Sequence, residues 1–129
     1  SQLVFKHMKK NGGKIVLMST ASAKHGGGPN TIGYGMAKAG LETLTKRIAR
    51  DGGKYNILAN AIAPGFIDTR FHSKRINLTK SQIKKRIKIS TLKKAGNPKE
   101  VAKLINYLIS SENNFMTGEV LEVSGGDWL

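Results

Sequence analysis

Tyr34 and Lys38 stand four residues apart in the stretch Ile32 to Gly40 (IGYGMAKAG). On a helix that spacing sets both side chains on one face, a turn apart. A phenol titrates near pH 10 and is a poor proton donor or acceptor at neutral pH, while an ammonium several ångströms away favours the phenolate and brings proton transfer into range. The pair is a candidate acid–base device, but Tyr and Lys at this spacing also occur on solvated helices, so the surrounding elements decide. Other candidates carry less chemistry. His7, His25 and His72 are scattered without metal-ligand spacing and read as solvated or packing histidines, with no metal site expected. Gly26-Gly27-Gly28 lacks the following Lys and the helix-opening Gly-Lys-Ser/Thr pattern of a phosphate cradle and reads as a flexible loop. Trp128 reads as a packing anchor or interface residue.

The elements that must position Tyr34 and Lys38 alternate between strand and helix. Leu3, Val4, His7 and Met8 fall at helical spacing before Asn11-Gly12-Gly13 stops them. Lys14 to Met18 (KIVLM) is a short, branched apolar run of the kind buried on both faces of a parallel sheet. A polar, glycine-rich loop follows from Ser19 to Asn30, in the position where open α/β sheets place their chemistry. From Thr31 to about Arg50, Ala37, Leu41, Leu44 and Ile48 step by helical intervals and predict a buried stripe, with Leu41, Leu44 and Ile48 in the core. Gly52-Gly53 ends that helix, and Asn56 to Ala63 (NILANAIA) predicts a second strand that leaves the sheet at Pro64-Gly65. Thr79 with Gln82 forms a capping-box pairing that opens a short amphipathic helix to about Ile89. Asn97-Pro98-Lys99-Glu100 opens another, with Val101, Leu104, Ile105 and Leu108 on its buried face. Gly118 to Val123 predicts a last strand, closed by Gly125-Gly126. The alternation predicts α/β architecture with a parallel sheet.

The 129 residues, 39% of them hydrophobic, suffice for one compact domain, and exclude collagen-like, transmembrane and plainly disordered classes. With no cysteine, neither disulfides nor thiolate chemistry enters. No apolar run approaches the roughly 18 residues of a membrane helix, and the expectation is a soluble, cytoplasmic protein without a membrane partner. Lys and Arg number 22 against 8 Asp and Glu, a net charge of +14. Between Asp68 and Glu100 no acidic residue occurs, and eleven of the 22 basic residues lie there, so the charge is partly a property of one segment.

Taken in order, the Tyr34/Lys38 helix, the run Asn60-Ala61-Ile62-Ala63-Pro64-Gly65-Phe66-Ile67-Asp68-Thr69, the segment Gly96 to Ala102 and the segment Thr117 to Gly126 resemble the short-chain dehydrogenase/reductase family. Within it, they resemble the 3-oxoacyl-(acyl carrier protein) reductase type, over essentially the whole chain. The resemblance implies the C-terminal part of a doubly wound, Rossmann-like fold, with residues 1–129 forming a single partial domain that carries catalysis and substrate binding. The family's glycine-rich dinucleotide turn and its catalytic Asn are not among these residues. Tyr34 then resembles the proton donor and acceptor, and Lys38 its pKa-lowering partner and a donor to the nicotinamide ribose. For the hydroxyl that orients the substrate carbonyl, strand alignment points to Thr20 and loop position leaves Ser22 as its competitor. A threonine there departs from the family's serine. Pro64 and Gly65 resemble the turn that covers the nicotinamide, Ile67 the residue offering main-chain bonds to its carboxamide, and Thr69 a hydroxyl for the carboxamide or pyrophosphate.

The implied cofactor is NAD or NADP, and tight binding is expected to require the nucleotide-binding half; the 129 residues alone are expected to be inactive. Implied partners are a small carbonyl or alcohol substrate, an acyl carrier protein or coenzyme A thioester, and further copies of the protein in a homo-oligomer. Two readings compete with the oxidoreductase: a catalytically inactive oligomerisation remnant, and a basic nucleic-acid-binding module on Arg70 to Lys99. Against the second, Phe71 is that segment's one aromatic residue, and no known binding motif occurs there.

Overall fold

The computed structural model describes residues 2–75, 77–127 and 129. Three parallel strands, β1 (Gly13–Met18), β2 (Ile57–Pro64) and β3 (Val120–Val123), lie in the order β1-β2-β3. Helices α1 (Gln2–Met8), α2 (Ser22–His25), α3 (Ile32–Gly52), α4 (Lys80–Ile89) and α5 (Pro98–Ile109) surround them. The expectation of a parallel α/β sheet holds. Among the described residues no helix is long and apolar enough to cross a membrane. The packing role expected of Trp128 lies outside the described residues.

Strand β2 is the centre of the sheet, with Ile57, Ala59, Ala61, Ile62 and Ala63 shielded from solvent. Its two faces pack differently because side chains alternate along a strand. On one face Ile62 joins Ile67, just beyond β2, and Val101 and Leu108 of α5, with Val16, Leu121 and Val123 packed around them. On the other, Ala59 meets Ile48 and Ala49 of α3, flanked by Phe5, Ile15, Leu17 and Leu44. The alanines on this face let α3 approach closely: a Cβ added at Gly52 would lie 2.9 Å from the Ile57 carbonyl oxygen.

That approach rotates α3 away from the stripe predicted by hydrophobic periodicity. Ile48 is buried, but Leu41 and Leu44 are only half-buried and Ala37 is exposed. The residues it buries are Gly35, Thr45, Ile48, Ala49 and Gly52. A sheet face built of alanines selects small helix residues, so hydrophobicity alone misjudged the face by about one residue's turn of the helix.

The capping boxes form as their sequences predict. Thr79 and Gln82 satisfy the N-terminus of α4, and Asn97 and Glu100 that of α5. The loop read between Ser19 and Asn30 contains the single-turn α2, closed by Gly26 at φ +81° and Gly27 at φ +78°. Pro64 remains the last rung of β2, and the Gly65 amide still donates to Val123, so pairing with β3 runs one residue past the expected exit. A π-helical turn over Phe71–Arg75 had no signal in the sequence.

Asn60 is the buried polar residue that ties β2 to the approach to β3. Its Nδ2 donates to the Met116 carbonyl at 2.8 Å, and its Oδ1 accepts from the Glu119 amide at 3.1 Å. Removing both bonds in Asn60→Ala is expected to lower the unfolding free energy by about 2 kcal/mol, read from urea denaturation. A loss below about 0.5 kcal/mol, the scale of an ordinary surface change, would show that the tie is dispensable.

Candidate active site

A cleft of about 750 Å³ opens at the carboxyl ends of β1 and β2. Its position follows from topology: parallel strands bring their carboxyl ends to one edge, and the loops that leave them meet there. Two main-chain bonds continue β1 into this edge, from the Ser19 amide to Ile62 and from the Ala21 amide to Pro64.

Tyr34 lies in the first turn of α3, lines the cleft and is 41% exposed. Lys38 follows one turn later, its Nζ 5.8 Å from the Tyr34 ring centroid. That ammonium also donates to the Met18 carbonyl at 2.7 Å, which holds it against the end of β1. Ser19 reinforces the junction, with its hydroxyl 2.7 Å from Glu42 Oε1 and 3.2 Å from the Lys38 carbonyl. These polar contacts supply a second reason for the rotation of α3. Its N-terminal half presents Lys38 and Glu42 to the strand end, where carbonyls and hydroxyls wait.

Thr20 and Ser22 both line the cleft beside Tyr34. Thr20 is buried, and its Oγ1 accepts from the Ser22 amide at 3.3 Å. A hydroxyl that accepts in this way keeps its own proton to donate. Ser22 begins α2, which an ion pair between Lys24 and Glu122 fastens to β3. That pairing raises the Lys24 pKa, first through the hydrogen bond to Glu122 and then through its charge.

Pro64, Gly65, Ile67 and Thr69 line the same cleft. Gly65 is needed for a close approach: an added Cβ would lie 2.8 Å from both the Cα and the carbonyl oxygen of Ser124. Beyond it, the Gly96 amide donates to Phe66 and the Asp68 amide donates to Gly96. Extended backbone alternates the direction of its amide groups, so the N–H and C=O of Ile67, between Phe66 and Asp68, face away from Gly96. A donor and an acceptor at Ile67, with the Thr69 hydroxyl nearby in the chain, can bond a ligand group that carries both functions, as an amide does.

The cleft also gathers residues outside the set of candidate site residues. Phe66, Phe71, His72, Leu78 and Arg86 line it. The His72 ring stacks on Phe66 with centroids 4.1 Å apart, and Phe71 lies 6.5 Å from the Tyr34 ring. His72, expected to be a solvated or packing histidine, thus packs as part of an aromatic wall. Arg86 differs from Lys80, Lys84, Lys85 and Lys88 of the same helix, which are exposed, by turning half-buried toward the cleft. Nothing in the local pattern distinguished it from those lysines. Among the described residues no three His, Asp or Glu side chains gather as a metal ion would require.

A parallel α/β sheet with its cleft at the carboxyl edge, beside the first turn of a long helix, places the chain among Rossmann-like proteins. Residues 1–127 match the family described as enoyl-(acyl carrier protein) reductase, and the chain belongs to the short-chain dehydrogenase/reductase family. It is 37% identical to a 7alpha-hydroxysteroid dehydrogenase of Paraclostridium sordellii, over 98% of this chain and 47% of the relative. It is 35% identical to a 3-oxoacyl-[acyl-carrier-protein] reductase of Thermotoga maritima, over 98% of this chain and 50% of that one. An acetoacetyl-CoA reductase of Synechocystis is 36% identical, over 91% and 48% respectively. Among solved structures, a blue fluorescent protein from a metagenomic library, crystallised in complex with NADPH, superposes with a TM-score of 0.82 at 26% identity, covering 92% of this chain and 47% of that one. The chain spans about half the length of the curated relatives it matches.

His72 gives the cleft a pH dependence. Burial holds its imidazole below the ordinary value of 6.5; the nearby Arg86 charge acts in the same direction and Asp68 opposes them. Since the folded state disfavours the imidazolium, the stability contribution is complete above the ordinary value and is lost as pH falls through the lower folded one. Denaturant titrations between about pH 7 and 5 are expected to show a falling unfolding free energy, with a shallower fall in His72→Phe. Equal slopes for parent and variant would assign the acid sensitivity to other groups.

Proposed function

We propose that these residues form the catalytic and substrate-binding part of an NAD(P)-dependent oxidoreductase that interconverts carbonyl and alcohol. The observation that carries the reading is the convergence of Tyr34, Thr20 and Ile67 on one cleft, with the Lys38 ammonium 5.8 Å from the Tyr34 ring centroid. Family membership and the oxidoreductase relatives support it.

In reduction, Tyr34 gives its phenolic proton to the substrate oxygen, and in oxidation it takes that proton back. Lys38 brings positive charge to the phenol from its seat on the Met18 carbonyl, and its ammonium serves the nicotinamide ribose. Thr20 donates a hydrogen bond to the carbonyl oxygen and orients it, because its Oγ1 is fixed by the Ser22 amide; Ser22 is the alternative donor. Pro64 and Gly65 wall the nicotinamide side, Ile67 bonds the carboxamide through its main chain, and Thr69 adds its hydroxyl. Bound NADH or NADPH supplies the hydride that these groups only orient. The nucleotide half of the family is needed for tight cofactor binding.

For the substrate, we propose a 3-oxoacyl thioester on an acidic acyl carrier or coenzyme A. The support is the exposed set Lys80, Lys84, Lys85 and Lys88 on α4, the helix whose Arg86 lines the cleft. Assembly into a homo-oligomer is supported by Ile32 and Met36 of α3, whose large apolar side chains are each 69% exposed.

In the complete enzyme containing this segment, Tyr34→Phe is expected to lower kcat by on the order of a hundredfold or more with the fold retained. Activity within a few-fold of the parent would overturn the assignment. Thr20→Ala is expected to slow turnover more than Ser22→Ala, and the reverse ranking would transfer the orienting role to Ser22. Steering by α4 is screened over about 10 Å at 0.1 M salt, so kcat/KM for a carrier-linked substrate is expected to fall with ionic strength while that for a small neutral ketone does not. Equal responses of the two substrates would remove the support for a charged carrier.

A further inference from the structure

Arg86 turns toward the cleft but does not reach it as a free charge. Its Nη1 and Nη2 donate to Oδ1 and Oδ2 of Asp127, both at 2.8 Å. The Asp127 side chain is 1% exposed and that of Arg86 24%. Two parallel charge-assisted bonds fix both the distance and the plane of the guanidinium. A pair this buried loses much of its Coulomb gain to desolvation, so its net contribution to stability is small beside the geometry it fixes.

The turn that carries Asp127 is held rigidly in place. Gly125 and Gly126 have φ of +66° and +71°, a region costly for other residues. A Cβ on Gly126 would lie 2.6 Å from Thr91 Oγ1. The Thr91 and Leu92 amides donate to the Gly126 and Gly125 carbonyls, each at 3.0 Å, which fastens the chain just after α4 to this turn. The Asp127 amide donates to Ser124 Oγ, and Ser124 is the residue against which Gly65 packs. A continuous path therefore runs from the Pro64-Gly65 wall through Ser124 and Asp127 to Arg86 and α4. Leu78, just ahead of α4, lines the cleft together with Arg86.

We propose that Arg86 and Asp127 are positioning residues: their clasp sets how closely α4 and Leu78 cover the cleft, and hence how tightly substrate is held. The proposal rests on the oxidoreductase reading for its kinetic consequence, but not for its structural one. Neither residue exchanges a proton or touches the reacting atoms; loosening the clasp raises KM and leaves the chemistry of Tyr34 intact.

Asp127→Asn preserves shape and removes the charge and one acceptor. In the complete enzyme it is expected to speed hydrogen exchange of the α4 amides by about tenfold, with β2 unchanged. It is also expected to raise KM by about fivefold while kcat stays within about twofold of the parent. Arg86→Lys, which keeps the charge but not the fork, is expected to fall between the two and carries the test if Asp127→Asn does not fold. Unchanged α4 exchange in the folded variants would overturn the clasp, and faster exchange with unchanged KM would overturn its role in substrate retention. If the parent enzyme reduces no carbonyl compound, the oxidoreductase reading fails, and α4 exchange alone then decides whether the clasp exists.

Discussion

Every feature of the cleft depends on the pairing of β2 with a parallel neighbour on each side. Parallel pairing places the carboxyl ends of β1 and β2 side by side, which brings the Thr20 loop next to the Pro64-Gly65 turn. The same arrangement requires both faces of β2 to be covered, α3 taking the alanine face and α5 the face of Ile62. A slip of one residue in β2 would exchange those faces and turn Asn60 away from Met116 and Glu119. The geometry around Tyr34 is thus a consequence of sheet register transmitted through α3.

Two kinds of contact convert that frame into a site. On the α3 side they are polar: Lys38 on the Met18 carbonyl and Ser19 on Glu42, with Thr20 accepting from the Ser22 amide in the adjoining loop. They hold Lys38 and Thr20 at the strand ends beside Tyr34. On the opposite side the wall is apolar and aromatic, with His72 stacked on Phe66 and Phe71 near Tyr34. The Arg86–Asp127 pair fastens α4 to the turn after β3. The basic character of the segment consequently divides in two: exposed lysines face solvent, while the single arginine within α4 serves the architecture.

What was legible in the chain was local. Capping residues Thr79 and Gln82, and Asn97 and Glu100, bond within one turn of one another, so their types at their spacing already specify two helix starts. The branched run from Lys14 to Met18 and the small apolar run ending at Pro64 specify strands for the same reason. The tyrosine and lysine of α3, and the hydroxyls and turn residues carried over by family resemblance, all line or adjoin the cleft. What escaped depends on partners distant in the chain. The orientation of α3 follows from alanines in β2, and the role of Arg86 from an aspartate forty-one residues later. Hydrophobic period and charge count carry no information about such pairings.

In the proposed reaction Tyr34, seated by Lys38 and the end of β1, exchanges a proton with a carbonyl oxygen held by Thr20. The most direct measurement is a crystal structure of the complete enzyme with a nicotinamide cofactor and a ketone substrate. The account predicts the carbonyl oxygen within about 2.6–3.2 Å of both Tyr34 Oη and Thr20 Oγ1. A substrate carbonyl bound elsewhere in the cleft, with Tyr34 bonded to neither substrate nor cofactor, would contradict it.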